Sequence, residues 1–84
     1  MKNKRLYELI VRIAEHDDEI AFKELYNSFH FDLLAFSRSI LNNEEDAEDV
    51  VINVFIRLWQ NRKTIDSIKN ISAYLYTATK YASI

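Results

Sequence analysis

Apolar side chains recur along the chain at steps of three and four, the period of helices that bury one side. Leu6, Leu9, Ile10 and Ile13 predict a first helix over residues 5–15. Asp17 or Asp18 then offers a carboxylate to cap a second. Phe22, Tyr26, Phe29, Leu33, Phe36 and Ile40 follow at steps of 4, 3, 4, 3 and 4, one stripe of a long helix. Asn42-Asn43 closes it and starts the next, since Asn tolerates left-handed backbone at a helix end and also caps the helix that follows. Glu44, Glu45 and Asp46 fall in the first turn of that third helix, where the dipole favours acids. The third helix is expected to run to about Arg62, with Arg62 and Lys63 at the end that favours cations. Residues 64–70 read as a polar, turn-like joint. A fourth helix begins near Ile71, turns Tyr74, Leu75, Ala78 and Ala82 inward, and runs to the last residue without a stop signal.

The third helix has two unlike apolar faces. At 100° per residue, Ala47, Val50, Val51, Val54, Phe55 and Leu58 gather on one side as core. Asp49, Ile52, Asn53 and Ile56 gather on the other. One exposed isoleucine carries no message, but two a turn apart beside a carboxylate do. Either another helix of the same domain covers them, or a partner does.

Composition narrows the class. The 84 residues include no glycine and no proline, which sheets and tight turns generally use, so the expected fold is all-α, a single compact domain of three to four packed helices over residues 1–84. With 49% apolar and 29% charged residues, the chain is that of a globular protein rather than a disordered one. The absence of cysteine fits a reducing, cytoplasmic setting. No apolar run approaches the roughly 20 residues of a membrane helix, and no apolar stretch follows the basic start to make a secretory leader. No membrane partner is expected.

Charge is divided along the chain. Residues 1–14 carry four bases and one acid, residues 15–49 eleven acids and two bases, and residues 50–84 five bases and one acid. The segments are therefore +3, −9 and +4 within a net charge of −2, a division that points to two kinds of partner on two surfaces.

Little here supports catalysis. His16 and His30 are the only histidines, no zinc-ligand spacing occurs, and a glycine-rich phosphate loop is impossible without glycine. The run Glu44, Glu45, Asp46, Glu48, Asp49 lacks the alternating oxygens and glycine of a calcium loop and reads as an acidic helix start. No enzyme activity, metal or cofactor is expected. What remains is a joint rich in amides and bases, Asn61, Arg62, Lys63, Ser67, Lys69 and Asn70, followed by Tyr74, Tyr76, Lys80 and Tyr81 on the fourth helix. Cations for phosphates, rings for unstacked bases and amides for base edges are the means of single-strand capture. Tyr74 is expected in the core, and Tyr76 and Tyr81 also suit an ordinary helix surface.

Three segments together resemble region two of the extracytoplasmic-function sigma factors: residues 21–41 (AFKELYNSFHFDLLAFSRSIL), 42–59 (NNEEDAEDVVINVFIRLW) and 71–80 (ISAYLYTATK). The resemblance spans residues 18–82. It implies that Asp46, Glu48 and Asp49 begin the helix that docks on the clamp coiled coil of the polymerase β′ subunit, with Ile52, Asn53 and Ile56 on the docking face. It implies that the joint over residues 61–71 captures flipped bases of the minus-ten promoter element, and that the fourth helix, with Tyr76 and Lys80, holds the melted non-template strand. An anti-sigma factor is a further implied partner.

The chain departs from the family at Ile52-Asn53, where Gln-Glu is common, and at Lys80-Tyr81, where Arg-Asn is usual. The family's second helical domain, which reads the minus-thirty-five element, is missing, so a trimmed chain or a truncated gene is expected. The two functional expectations are a transcription-initiation module that binds polymerase and promoter DNA, and a protein-binding module that docks polymerase or an anti-sigma factor without reading DNA.

Overall fold

The computed structural model describes residues 2–84, with side chains from Lys4 onward. Four α-helices occur, α1 over Lys2–His16, α2 over Glu19–Leu41, α3 over Glu44–Gln60 and α4 over Ile71–Ser83, with a 3-10 helix over Arg62–Ser67 between the last two. No strand occurs among the described residues. The 23 residues of α2 extend about 34 Å at 1.5 Å each, close to the 36 Å long axis of the molecule, so this helix is the spine on which the others pack. Its most extensive neighbour is α3, followed by α4 and α1.

The joints follow from their side chains. Asp17 takes left-handed backbone (φ 51°), and Asp18 caps α2 by accepting the Ala21 N–H at 3.0 Å. Asn42 ends α2 in the left-handed region (φ 60°), its N–H donating to the Arg38 carbonyl at 2.8 Å. Asn43 then caps α3 by accepting the Asp46 N–H at 2.9 Å. A pair of asparagines thus turns the chain without glycine.

One continuous core joins every element. Leu9 and Ile13 of α1, Leu25 and Leu33 of α2, Val51, Phe55 and Leu58 of α3, Ile65 of the 3-10 helix, and Ile71 and Leu75 of α4 are all buried. Three expectations are corrected. The joint is not a loose polar turn: α3 stops at Gln60, and Arg62–Ser67 winds into a 3-10 helix packed along α1 with Ile65 buried. The fully buried row of α2 is Ala21, Leu25, Leu33 and Ser37, while Phe22, Tyr26, Phe29 and Phe36 lie half-buried beside it and Ile40 is exposed. On α4 the inward row is Ile71, Leu75, Thr79 and Ser83, so Tyr74 and Ala82 face outward and Ala78 sits at the edge. The reason is polar pairing across the interface. Ser83 Oγ donates to the Thr79 carbonyl at 2.7 Å, so it accepts from Ser37 Oγ at 2.8 Å, and α2 meets α4 through this serine pair, while the buried Thr79 hydroxyl has no partner among the described residues.

Exposed ion pairs fasten the N-terminal half. Arg5 binds Glu24 across α1 and α2, its Nε reaching Oε2 at 2.8 Å, and Arg12 reaches Asp18 at 3.1 Å. The Ala21 N–H, aided by Arg12, holds the Asp18 carboxyl below the usual carboxylate range, and the Arg5 guanidinium does the same for Glu24. Depressed folded values mean stability that is present above the unfolded pKa and lost as pH falls through the folded one. Thermal melts should therefore shift down as pH drops from about 4 toward about 2. Asp18→Asn keeps a capping oxygen but cannot titrate, so its melting temperature should fall less over that interval. Parallel profiles for parent and variant would mean that the Asp18 carboxylate adds nothing to the fold.

Candidate functional site

Two surfaces hold the residues singled out by the sequence. The first is the outer face of α3. Asp46, Glu48, Asp49, Ile52, Asn53 and Ile56 are all exposed, Ile52 at 45% and Ile56 at 48%. No helix of the described chain covers the isoleucine pair. The core face of the same helix is buried as expected at Ala47, Val51, Val54, Phe55 and Leu58, with Val50 at its edge.

An open groove runs between α2 and α3 beside this face. Phe22, Tyr26, Phe55 and Trp59 form its aromatic wall, Ile52 and Ile56 its outer lip, and Glu19, Lys23 and Gln60 its polar ends. The wall is built from ring contacts, with Phe22 5.0 Å from Trp59 and Tyr26 edge-on to Phe55 at 4.9 Å. Trp59 is half-buried in this wall. His30 stacks on Tyr26 at 4.8 Å as a boundary side chain. The first turns of α3, before the groove residue Ile52, are acidic. Glu44 pairs with Arg38 at 2.8 Å, but Glu45, Asp46, Glu48 and Asp49 form no ion pair among the described residues. An apolar groove beside unneutralised carboxylates suits an apolar and basic partner.

The second surface is the joint and the outer side of α4. The predicted residues of the joint lie in or beside the 3-10 helix at the Asp17 corner, whereas Tyr76 packs farther along α2 at Phe36, and most of the joint residues already have intramolecular roles. Asn61 Nδ2 donates to the Arg57 carbonyl at 2.9 Å, Asn70 Oδ1 caps α4 by accepting the Ala73 N–H at 3.0 Å, and the Ser67 hydroxyl donates to the Thr64 carbonyl at 2.6 Å. Each amide keeps one half unused, the carbonyl of Asn61 and the NH₂ of Asn70, so the joint still presents an acceptor and donors. Arg62 lies over the Trp59 ring at 4.3 Å, donates to the Trp59 carbonyl at 2.9 Å, and reaches Asp17 at 2.7 Å. Lys63 reaches the same Asp17 oxygen at 2.8 Å. The two cations, Lys63 foremost, hold the Asp17 carboxyl below the ordinary carboxylate range.

Lys69 and Lys80 are exposed and form no ion pair among the described residues, Lys80 lying 5.8 Å from the Tyr81 ring. Tyr76 is half-buried with one edge against Phe36 at 5.3 Å, while Tyr74 and Tyr81 are exposed. Tyr74, expected in the core, is thus available as a ring on the outer face. The contact of Asp17 with the joint was not legible in the sequence, because its partners lie 45 and 46 positions away. None of the described helices is long and apolar enough to cross a membrane.

A family model described as Sigma-70 region 2 matches residues 25–84, from the second turn of α2 to the end of the chain. No curated protein and no solved structure matches the chain.

Proposed function

The chain belongs to the sigma-70 region 2 family, sigma factor domains that act in transcription initiation, and from that premise we propose that its two surfaces divide the task between polymerase and promoter. The acidic outer face of α3, with the groove beside it, docks on the β′ clamp coiled coil. The joint and the outer side of α4 hold the melted non-template strand at the minus-ten element. The extracytoplasmic-function group is the branch whose motifs the chain resembles.

The observation that carries this reading is the Ile52/Ile56 pair. It lies outside the core, beside an aromatic groove and unpaired carboxylates, on a helix inside the matched segment. The exposed isoleucines gain from burial against a partner, and the carboxylates beside them suit one that brings cations. On the DNA side, support comes from charge. The acidic middle of the chain repels phosphates, while the C-terminal segment carries five of the eleven bases and only one acid. Polymerase would supply by tethering the affinity that a few phosphate contacts lack.

A second reading, a module that docks polymerase or an anti-sigma factor without reading DNA, has an observation in its favour. Asn61, Arg62, Lys63, Ser67 and Asn70 all have intramolecular partners. The triple variant Arg62→Ala, Lys63→Ala, Lys69→Ala separates the two. It should keep its affinity for a clamp coiled-coil fragment and lose crosslinking to a single-stranded minus-ten oligonucleotide in the assembled polymerase complex. Unchanged crosslinking would leave a polymerase-docking module alone.

A further inference from the structure

Asp17 occupies a singular position. It sits at the α1–α2 corner in left-handed backbone (φ 51°), outside the segment that the family model matches. Its carboxylate oxygen meets Arg62 Nε at 2.7 Å and Lys63 Nζ at 2.8 Å, both on the 3-10 helix. Left-handed backbone favours Asn as readily as Asp, so the fold at this corner does not itself require a charge. The carboxylate finds its role in the two cations. Arg62 has a second anchor, lying over Trp59 and donating to its carbonyl, so its placement does not depend on Asp17.

The geometry points to Asp17 as a built-in competitor for phosphate, an internal carboxylate that occupies Arg62 and Lys63 until a nucleic-acid phosphate displaces it. This rests on the DNA-binding role proposed above and specifies how that surface is held in check. At the node, two positive charges and one negative leave a net charge of +1, and the pairs are partly exposed, Asp17 at 48% and Lys63 at 63% of their side-chain surface. Exposed pairs of this kind are weak, so the latch yields to a strand tethered nearby yet discourages stray binding by the free chain. The same contact ties the corner after α1 to the joint before α4, so release at one end is felt at the other.

Asp17→Asn tests the latch while suiting the left-handed corner. Binding of a short fluorescent single strand of mixed sequence is followed by anisotropy over a range of salt concentrations. Asp17→Asn should bind roughly two- to fivefold more tightly than the parent, the range set by an exposed pair. Its log–log salt slope should steepen by about 0.7, because one more cation becomes free to replace counterions. Asp32→Asn is the charge control. It lies about 22 Å along α2 from the corner, beyond the roughly 10 Å screening length at 0.1 M salt, and should change neither quantity. Adding Arg62→Ala and Lys63→Ala to Asp17→Asn should abolish the gain. No gain in Asp17→Asn, an equal gain in Asp32→Asn, or a gain that survives loss of both cations would overturn the latch. Crosslinking by the Arg62, Lys63, Lys69 triple variant in the polymerase complex is read in parallel. If that variant loses crosslinking while Asp17→Asn gains nothing, the DNA role stands and the latch falls.

Discussion

Asp49→Lys is expected to weaken binding to a β′ clamp coiled-coil fragment by about 2–5 kcal/mol, the cost of breaking a desolvated charge pair, while leaving the fold intact. Asp49 is exposed on the outer face of α3, a turn before Asn53 and near Ile52, and forms no ion pair among the described residues. Nothing inside the domain depends on its charge, so a loss of affinity would come from the partner. A helical circular dichroism spectrum and an unchanged melting temperature establish that the variant folds. Ile52→Ala with Ile56→Ala should weaken the same contact without a charge change, because apolar area is removed from the lip of the groove. If Asp49→Lys binds the fragment as well as the parent, the docking face lies elsewhere.

Leu58→Ala is expected to lower stability by about 2–4 kcal/mol. Leu58 is 2% exposed and belongs to the cluster that joins α1, α2, α3 and α4, so its loss opens space that four elements must close together. For a domain of this size the melting temperature should fall by roughly 10–25 °C. A fall comparable to that of an exposed substitution such as Asp32→Asn would mean that Leu58 is not part of the packed core.

The helices and their caps were legible because each rests on local chemistry. Asn42 and Asn43 mark a break that the structure places within one residue, and the outer strip of α3 is exposed as the 100° spacing requires. Hydropathy misled where polar groups lie inside. Ser83 is buried through the Ser37 pairing, and Thr79 lies in the same inward row with its hydroxyl unpaired among the described residues, so α4 exposes Tyr74 and Ala82, although the latter pair is the more apolar. The 3-10 helix was hidden for a similar reason. Ile65 is the one apolar side chain in RKTIDS, and it is buried because α1 lies across it, a long-range packing that periodicity cannot register.

The candidate site divides along the same line. Of the groove residues, Phe55 is buried core as its stripe requires, but Phe22 and Tyr26, read from the stripe of the second helix as core, form part of an open wall. The joint read as a free polar loop, whereas its amides and hydroxyl are turned toward its own backbone and two of its cations toward Asp17. Side chains that cap, pair and bind are the same residue types, and only the three-dimensional partner separates these uses.

The most direct measurement is crosslinking of the 84-residue chain to promoter DNA in the presence and absence of core polymerase, with a fragment carrying a melted bubble over the minus-ten element and the matching closed duplex. The chain should associate with core polymerase, crosslink to the non-template strand of the bubble in that complex, and leave the closed duplex and the template strand largely untouched. Failure to associate with core polymerase, or equal crosslinking to bubble and closed duplex, would contradict a sigma region two that docks on the clamp and holds the melted strand.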